Sequence, residues 1–134
     1  MLNLAYRRAW ISGGVLLSAI VVAGSLVPGP LIESLPLTLW DKALHAVAYG
    51  SLTLWFAGLL ERSRYLIAGI LSFGLGIAVE VAQAALTETR LAESADLVAN
   101  GTGVAIGLAL AYAGLGGWAR QVERWLRVPP PGGR

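Results

Sequence analysis

Four long stretches of this sequence contain no Asp, Glu, Lys or Arg, and they restrict the folds open to the chain. They are residues 9–32, 43–60, 66–79 and 97–119. A helix needs roughly 20 apolar residues to cross a bilayer, and only helices or closed barrels satisfy their backbone in lipid. Continuous apolar stretches exclude alternating barrel strands. With 56% hydrophobic residues and a mean hydropathy of +0.66, the sequence predicts a helical membrane protein.

The predicted fold is an all-α integral membrane protein, a four-helix transmembrane bundle with a short C-terminal amphipathic interfacial helix. The transmembrane domain covers residues 1–116. Its helices are predicted near residues 9–27, 42–60, 66–86 and 96–115. We expect an interfacial helix at 117–128 and a disordered tail at 129–134.

The first helix follows Tyr6-Arg7-Arg8 and has an alternative interpretation as a secretory signal, but its length and the lack of a small-x-small site favour retention.

On the interfacial helix, Trp118, Val122, Trp125 and Leu126 share one face. We expect Glu123 on the other side with the arginines of that helix, namely Arg120, Arg124 and Arg127.

Basic residues are distributed unevenly between the two predicted faces. With a cytoplasmic amino terminus, the inner segments hold eight of the ten Lys and Arg residues, and the outer segments hold only Lys42 and Arg90. The positive-inside rule then predicts a multi-pass protein of the bacterial inner membrane with both termini in the cytoplasm. The absence of cysteine excludes disulfides and thiol chemistry, and nothing beyond this bias favours nucleic acid as a partner.

Polar side chains recur on three of the predicted helices in the outer half of the membrane. Glu80 is the deepest, on the order of 10 Å inside the helix end at 1.5 Å per residue. A charge near mid-membrane costs a few kcal/mol even on lenient scales, so it is usually partnered and functional. These polar residues share helix faces: Asp41, Lys42, His45 and Tyr49 on the second helix, Glu80 and Gln83 on the third, and Asp96 and Asn100 on the fourth.

Each polar residue taken singly also has a structural interpretation. Asp41 and Asp96 can cap helices, Lys42 can extend to the interface, and Arg90 can be an ordinary loop charge. Their shared depth on three helices favours one polar pocket instead. Gly103 and Gly107 continue the stripe of the fourth helix and allow a neighbouring helix to approach closely.

Three blocks of this pattern together resemble the VanZ-like family of small bacterial membrane proteins. The blocks are "DKALHAVAY", "EVAQ" and "RLAESADLVANGTGVAIG", which match the family pattern in order and spacing over residues 41–107. The stretch "AALTET" departs from the family, which carries Pro and aromatic residues there. The resemblance implies a place in the cell envelope, since the founding member is associated with low-level teicoplanin resistance. It supplies no mechanism and assigns no resistance role to this chain.

The first hypothesis for the pocket is an enzyme that hydrolyses or transfers a group on a phosphorylated or lipid-linked envelope substrate. His45, oriented by Asp41, would act as acid or base, and Glu80 would exchange protons with it. Lys42 and Arg90 would bind a lipid phosphate. The remaining substrate-binding candidates are Tyr49, Gln83, Asp96 and Asn100.

Two other hypotheses use the same residues without that chemistry. In one, the pocket binds or transports an anionic lipid or a proton. In the other, His45 and carboxylates at Asp41, Glu80 and Asp96 bind a divalent ion. Lys42 beside them and the lack of a second His or any Cys argue against that metal site, so no cofactor is expected.

Overall fold

The computed structural model describes residues 1–26, 38–86 and 94–126, and every regular element in these ranges is helical. The side chains of residues 38–41 and 86 are outside the described part. A 3₁₀ turn at Arg62–Arg64 precedes the third helix, and a π-helical turn at Ala111–Leu115 follows the fourth. The helices are α1 (Arg7–Ser25), α2 (Thr38–Gly58), α3 (Tyr65–Leu86), α4 (Ser94–Leu110) and α5 (Trp118–Trp125).

Three helical segments within the described residues are long and apolar enough to cross a membrane. They are Arg7–Ser25, Arg62–Ala85 and Ser94–Leu115, with mean hydropathies of 1.4, 1.9 and 1.5. The prediction of an all-helical protein is therefore confirmed for the described residues, and three of the four predicted spans are long and apolar enough to cross a membrane. Large apolar side chains such as Ile70 and Leu71 are about 70% exposed on α3, which suits a helix surrounded by hydrocarbon.

The observed helix ends differ from the predicted ends by a few residues. Helix α2 begins at Thr38, so Asp41 and Lys42 lie inside its first turns instead of heading it. Asp96 is likewise the third residue of α4, where a carboxylate still faces the positive end of the helix dipole. The predicted helix 96–115 is interrupted at Gly114, whose φ of +120° is incompatible with a regular helix.

Helix α5 covers Trp118–Trp125, within the predicted range 117–128. It begins after Gly117, which adopts a left-handed conformation with φ of +69°, and residues 127–128 lie outside the described part. The tail at 129–134 lies outside the described residues. Glu123 lies away from the exposed Trp125, but unlike Arg120 and Arg124 its side chain is buried, together with Ala119.

Helices α2 and α4 pack closely through glycines. A Cβ on Gly103 would collide with the backbone of Ala46, and a Cβ on Gly107 would lie 2.6 Å from the carbonyl oxygen of Gly50. Both residue numbers rise together along this contact, so the two helices run parallel. The stripe of small residues predicted on the fourth helix therefore faces α2, and it sets the short distance across which their polar side chains meet.

The amino-terminal segment is attached to α5 by one carboxylate. Glu123 accepts hydrogen bonds from the backbone N–H groups of Ala5 and Tyr6 and from Nε1 of Trp10, each at 2.9 Å. The N–H of Leu2 donates to the carbonyl oxygen of Leu59 at 3.0 Å. These contacts place the start of α1, the α2–α3 turn and α5 at one end of the molecule, which we call the terminal end.

Three indole rings fill the terminal end. Trp118 packs edge-on against Trp10 and Trp55, with ring centroids 5.2 and 5.0 Å apart. Their Nε1–H groups donate to Glu123, to the Trp10 carbonyl and to the Leu54 carbonyl. Aromatic pairs of this geometry add roughly 0.5–1.5 kcal/mol beyond their burial, so the cluster stabilises the junction of α1, α2 and α5.

Candidate functional site

The polar residues predicted for the pocket lie in a column between α2, α3 and α4, at the end opposite the terminal end. Its outermost contact is an ion pair between Nζ of Lys42 and Oδ1 of Asp96. The Asp96 side chain is buried, and the Lys42 side chain is about one-third exposed. Both were predicted as substrate-binding residues, and in this structure each contacts the other.

One helical turn further in, His45 contacts Asn100. The Nδ1 atom of His45 lies 3.0 Å from Oδ1 of Asn100, and both side chains are buried. An amide oxygen can only accept a hydrogen bond, so Nδ1 carries the proton and donates it. The lone pair of the neutral ring is then on Nε2. Because the charged ring also carries a proton on Nδ1, the contact with Asn100 is retained when Nε2 gains a proton.

Tyr49 forms the next level of the column. Its ring is stacked on His45, with centroids 6.5 Å apart and planes at 17°, as two residues four apart on one helix face allow. A Cβ built on Gly76 of α3 would lie 3.3 Å from this ring and 3.0 Å from Nδ2 of Asn100. The missing side chain of Gly76 therefore provides the space in which Tyr49 and Asn100 meet.

Glu80 lies one turn beyond Gly76 on the same face of α3. Its side chain is 7% exposed. A Cβ on Gly76 would contact Tyr49 and Asn100, so Glu80 lies on the side of α3 that faces these residues. We call His45, Tyr49, Glu80 and Asn100 the polar cluster. It joins α2, α3 and α4.

Two buried donors of the polar cluster lack a partner among the described residues. The hydroxyl of Tyr49 and Nδ2 of Asn100 are fully buried and have no hydrogen-bond partner among the described residues. Buried polar groups are normally satisfied, so such groups mark places where a further partner binds. Both are neutral donors, and they suit an acceptor oxygen such as that of a phosphoryl group, an ester or a water molecule.

The remaining predicted site residues have other positions. Nε2 of Gln83 donates to the carbonyl oxygen of Ser25 at 2.5 Å, so this buried amide connects α3 to the last turn of α1. Arg90 and the side chain of Asp41 lie outside the described residues. No group of three or more His, Asp or Glu side chains in the described part is placed to hold a metal ion.

Sequence reasoning missed Gly76 and Gly50, two further glycines at the contacts between the helices. Gly76 precedes Glu80 by four residues and shares its helix face. That spacing is the sequence signal by which Gly76 could have been identified. Gly50 follows Tyr49 directly and faces the Gly103 carbonyl oxygen, from which a Cβ would be 3.0 Å.

The chain was compared with protein-family models, curated proteins and solved structures, and none of them matches it. These comparisons give no support to the expected VanZ-like assignment, which stays an expectation from the three sequence blocks.

Proposed function

We propose that α2 is a fourth transmembrane helix and that α5 lies on the cytoplasmic surface of the bacterial inner membrane. Helix α2 has 21 residues, and no Asp, Glu, Lys or Arg follows Lys42 within it. A helix of 21 residues is long enough to span a bilayer. The exposed Trp125 and Leu126 of α5 would lie in the interface beside its arginines.

We also propose membership of the VanZ-like family, with the polar cluster as its site. Four of the motif residues meet in pairs between α2 and α4, where Lys42 contacts Asp96 and His45 contacts Asn100. The meeting of motif residues from α2 and α4 supports the assignment.

The proposed function is acid/base hydrolysis or group transfer on the head group of a phosphorylated or lipid-linked envelope substrate. The His45–Asn100 contact carries the proposal, because it holds the ring in one tautomer with Nε2 as the proton acceptor. An attacking hydroxyl or water would transfer its proton to Nε2 as it bonds to phosphorus. The protonated ring would then return that proton to the leaving oxygen.

The other residues have supporting roles in this scheme. Tyr49 O–H and Asn100 Nδ2–H would donate to phosphoryl or ester oxygens, and Glu80 would exchange protons with the site. Lys42, already paired with Asp96, would supply a positive charge to the phosphate together with Arg90. Asp41 would orient His45 from the preceding turn.

A second function uses the same cluster without turnover. The site would bind an anionic lipid, or transfer it or a proton through the membrane. The observation that favours this function is the depth of Glu80, since buried carboxylates within membrane helices are typical of proton relays.

Purified wild type and three variants distinguish the two functions: His45→Gln, Lys42→Ala/Asp96→Ala and, as the matched control, Thr102→Ala on the exposed side of α4. For each, retained lipids are identified by mass spectrometry and phosphate release is measured alongside the melting temperature. Catalysis predicts that His45→Gln retains lipid but loses turnover by a factor of about 10²–10⁴. Lipid retention unchanged in the double variant would exclude the phosphate site.

A further inference from the structure

An apolar groove of about 510 Å³ lies between α3 and α4 on the outer side of the polar cluster. Its volume is within the usual range for small-molecule sites, about 300–1,000 Å³. The side chains that line it are apolar except for one carboxylate. The lining residues are Ile77, Glu80, Val81, Ala84, Ala85 and Leu97.

The lining residues of the groove indicate whether it faces water or lipid. All of its lining residues belong to the candidate spans Arg62–Ala85 and Ser94–Leu115. On α3 they follow the helical spacing of a single stripe from Ile77 to Ala85, a length of about 12 Å at 1.5 Å per residue. Val81 is 64% exposed and Ile77 43% exposed. The groove therefore opens sideways, toward the hydrocarbon of the bilayer.

Glu80 is the residue that joins the groove to the polar cluster. It lines the groove, and it follows by one helical turn Gly76, the α3 residue that faces the ring of Tyr49. A hydrocarbon chain fits the apolar wall, whereas a free, water-soluble phosphate would gain nothing there. An amphiphile with its chain in the groove would carry its polar part to the level of Glu80.

We propose that the groove binds one hydrocarbon chain of a membrane lipid, and that the lipid reaches the polar cluster sideways from the bilayer. This inference rests on the proposed function and specifies its substrate: a lipid with an intact chain, delivered past Glu80. It also assigns Ala84 and Ala85 a role, because their small side chains leave the upper part of the groove open.

Photolabelling in phosphatidylcholine nanodiscs tests the groove directly. The probe is a phosphatidylglycerol with a diazirine in its acyl chain, and labelled residues are identified by mass spectrometry. We expect labelling of groove residues that unlabelled phosphatidylglycerol competes away. Ala84→Trp, which fills the groove, should lower the affinity of this labelling roughly tenfold, while Ala109→Trp, at an exposed alanine of α4 outside the groove, should not.

Two results would overturn the inference. One is labelling of the groove that competitor does not reduce and that equals labelling of exposed Leu71 and Val98, which means bulk lipid contact only. The other is efficient oxidative cross-linking of two Ala84→Cys chains, which means a second copy covers the groove. The chain has no native cysteine, so that cross-link is unambiguous.

Turnover separates this inference from the proposed function. If wild type releases phosphate from lipids and Ala84→Trp does so equally well, the groove inference fails and the function stands. If competitive groove labelling is found but no phosphorylated lipid is turned over, the enzymatic function fails and the groove stands.

Discussion

Nδ1 of His45 and Oδ1 of Asn100 are 3.0 Å apart, so a buried hydrogen bond joins two parallel helices, α2 and α4. This contact orients the ring that we propose as the proton acceptor. Breaking this hydrogen bond should destabilise the protein, because a buried donor left without an acceptor costs about 1–3 kcal/mol of folding free energy.

The first prediction is that His45→Ala and Asn100→Ala are not additive. Once either partner is removed, removing the other has less to disrupt, so the double variant should lose less stability than the sum of the single losses. The expected coupling is about 0.5–3 kcal/mol. Unfolding in mixed detergent measures it. Thr102→Ala combined with His45→Ala is the control and should be additive, since Thr102 bonds to its own helix at the Val98 carbonyl.

The contact of His45 with Asn100 was only partly predictable from sequence, because helical periodicity gives the face on which a residue lies but not its partner on another helix. Charge-free stretches gave the helices, and the 3.6-residue period put the polar residues of each helix on one face. The pairing of Lys42 with Asp96 and the hydrogen bond from Gln83 to Ser25 depend on how neighbouring helices are rotated and shifted along their axes. Those quantities are set by glycine contacts such as Gly50 with Gly103, which no single-helix pattern contains.

Glu123 shows the other limit of pattern reasoning. Its helix places it among arginines, and an amphipathic projection assigned it to the polar side. Its partners, Ala5, Tyr6 and Trp10, lie more than 110 residues away in sequence. Backbone N–H groups at a helix start leave no mark in the side-chain pattern, so this contact could not be predicted.

The second prediction concerns Gly103. A Cβ there would collide with backbone atoms of Ala46, which cannot move aside as a flexible side chain can. Gly103→Ala should therefore separate α2 from α4 and lower the melting temperature. Gly74→Ala is the matched control on α3, where a Cβ meets nothing within 4 Å. Helix propensity predicts that this control gains up to about 1 kcal/mol, and equal behaviour of the two variants would contradict the close packing.

The third prediction is a pH dependence at the terminal end. Burial raises the pKa of the Glu123 carboxyl, but N–H donors from Tyr6, Trp10 and Ala5 outweigh burial and hold the pKa below its ordinary value of 4.5. A lowered folded-state pKa stabilises the protein above pH 4.5, and the stabilisation is lost as the pH falls through the folded-state value.

Glu123→Gln should accordingly be less stable than wild type at pH 7, and the difference should shrink steadily below pH 4.5. Melting curves of both proteins across this range are the measurement. Glu61→Gln, at an exposed carboxylate beside the same end, is the control and should show no such convergence. A gap that widens in acid would contradict the assigned role of Glu123.

The fourth prediction is topological. Reporter fusions at Ser63 and after Arg134 should report cytoplasm, and a fusion at Glu88 should report the outside. The physical reason is the concentration of arginines at the terminal end, where Leu2 also contacts Leu59. Opposite locations for Ser63 and the carboxyl terminus would contradict the contact of α5 with the α2–α3 turn.

The carboxylate of Glu123 also imposes an order on biosynthesis. Ribosomes make the amino terminus first, yet the N–H groups of Ala5 and Tyr6 receive their partner only when residue 123 has been translated. Contacts of the amino-terminal segment with α2 and α3 can form earlier, through Leu59, Trp55 and Gln83. A product truncated before α5 would therefore keep these contacts but lack the acceptor for the N–H groups of Ala5 and Tyr6.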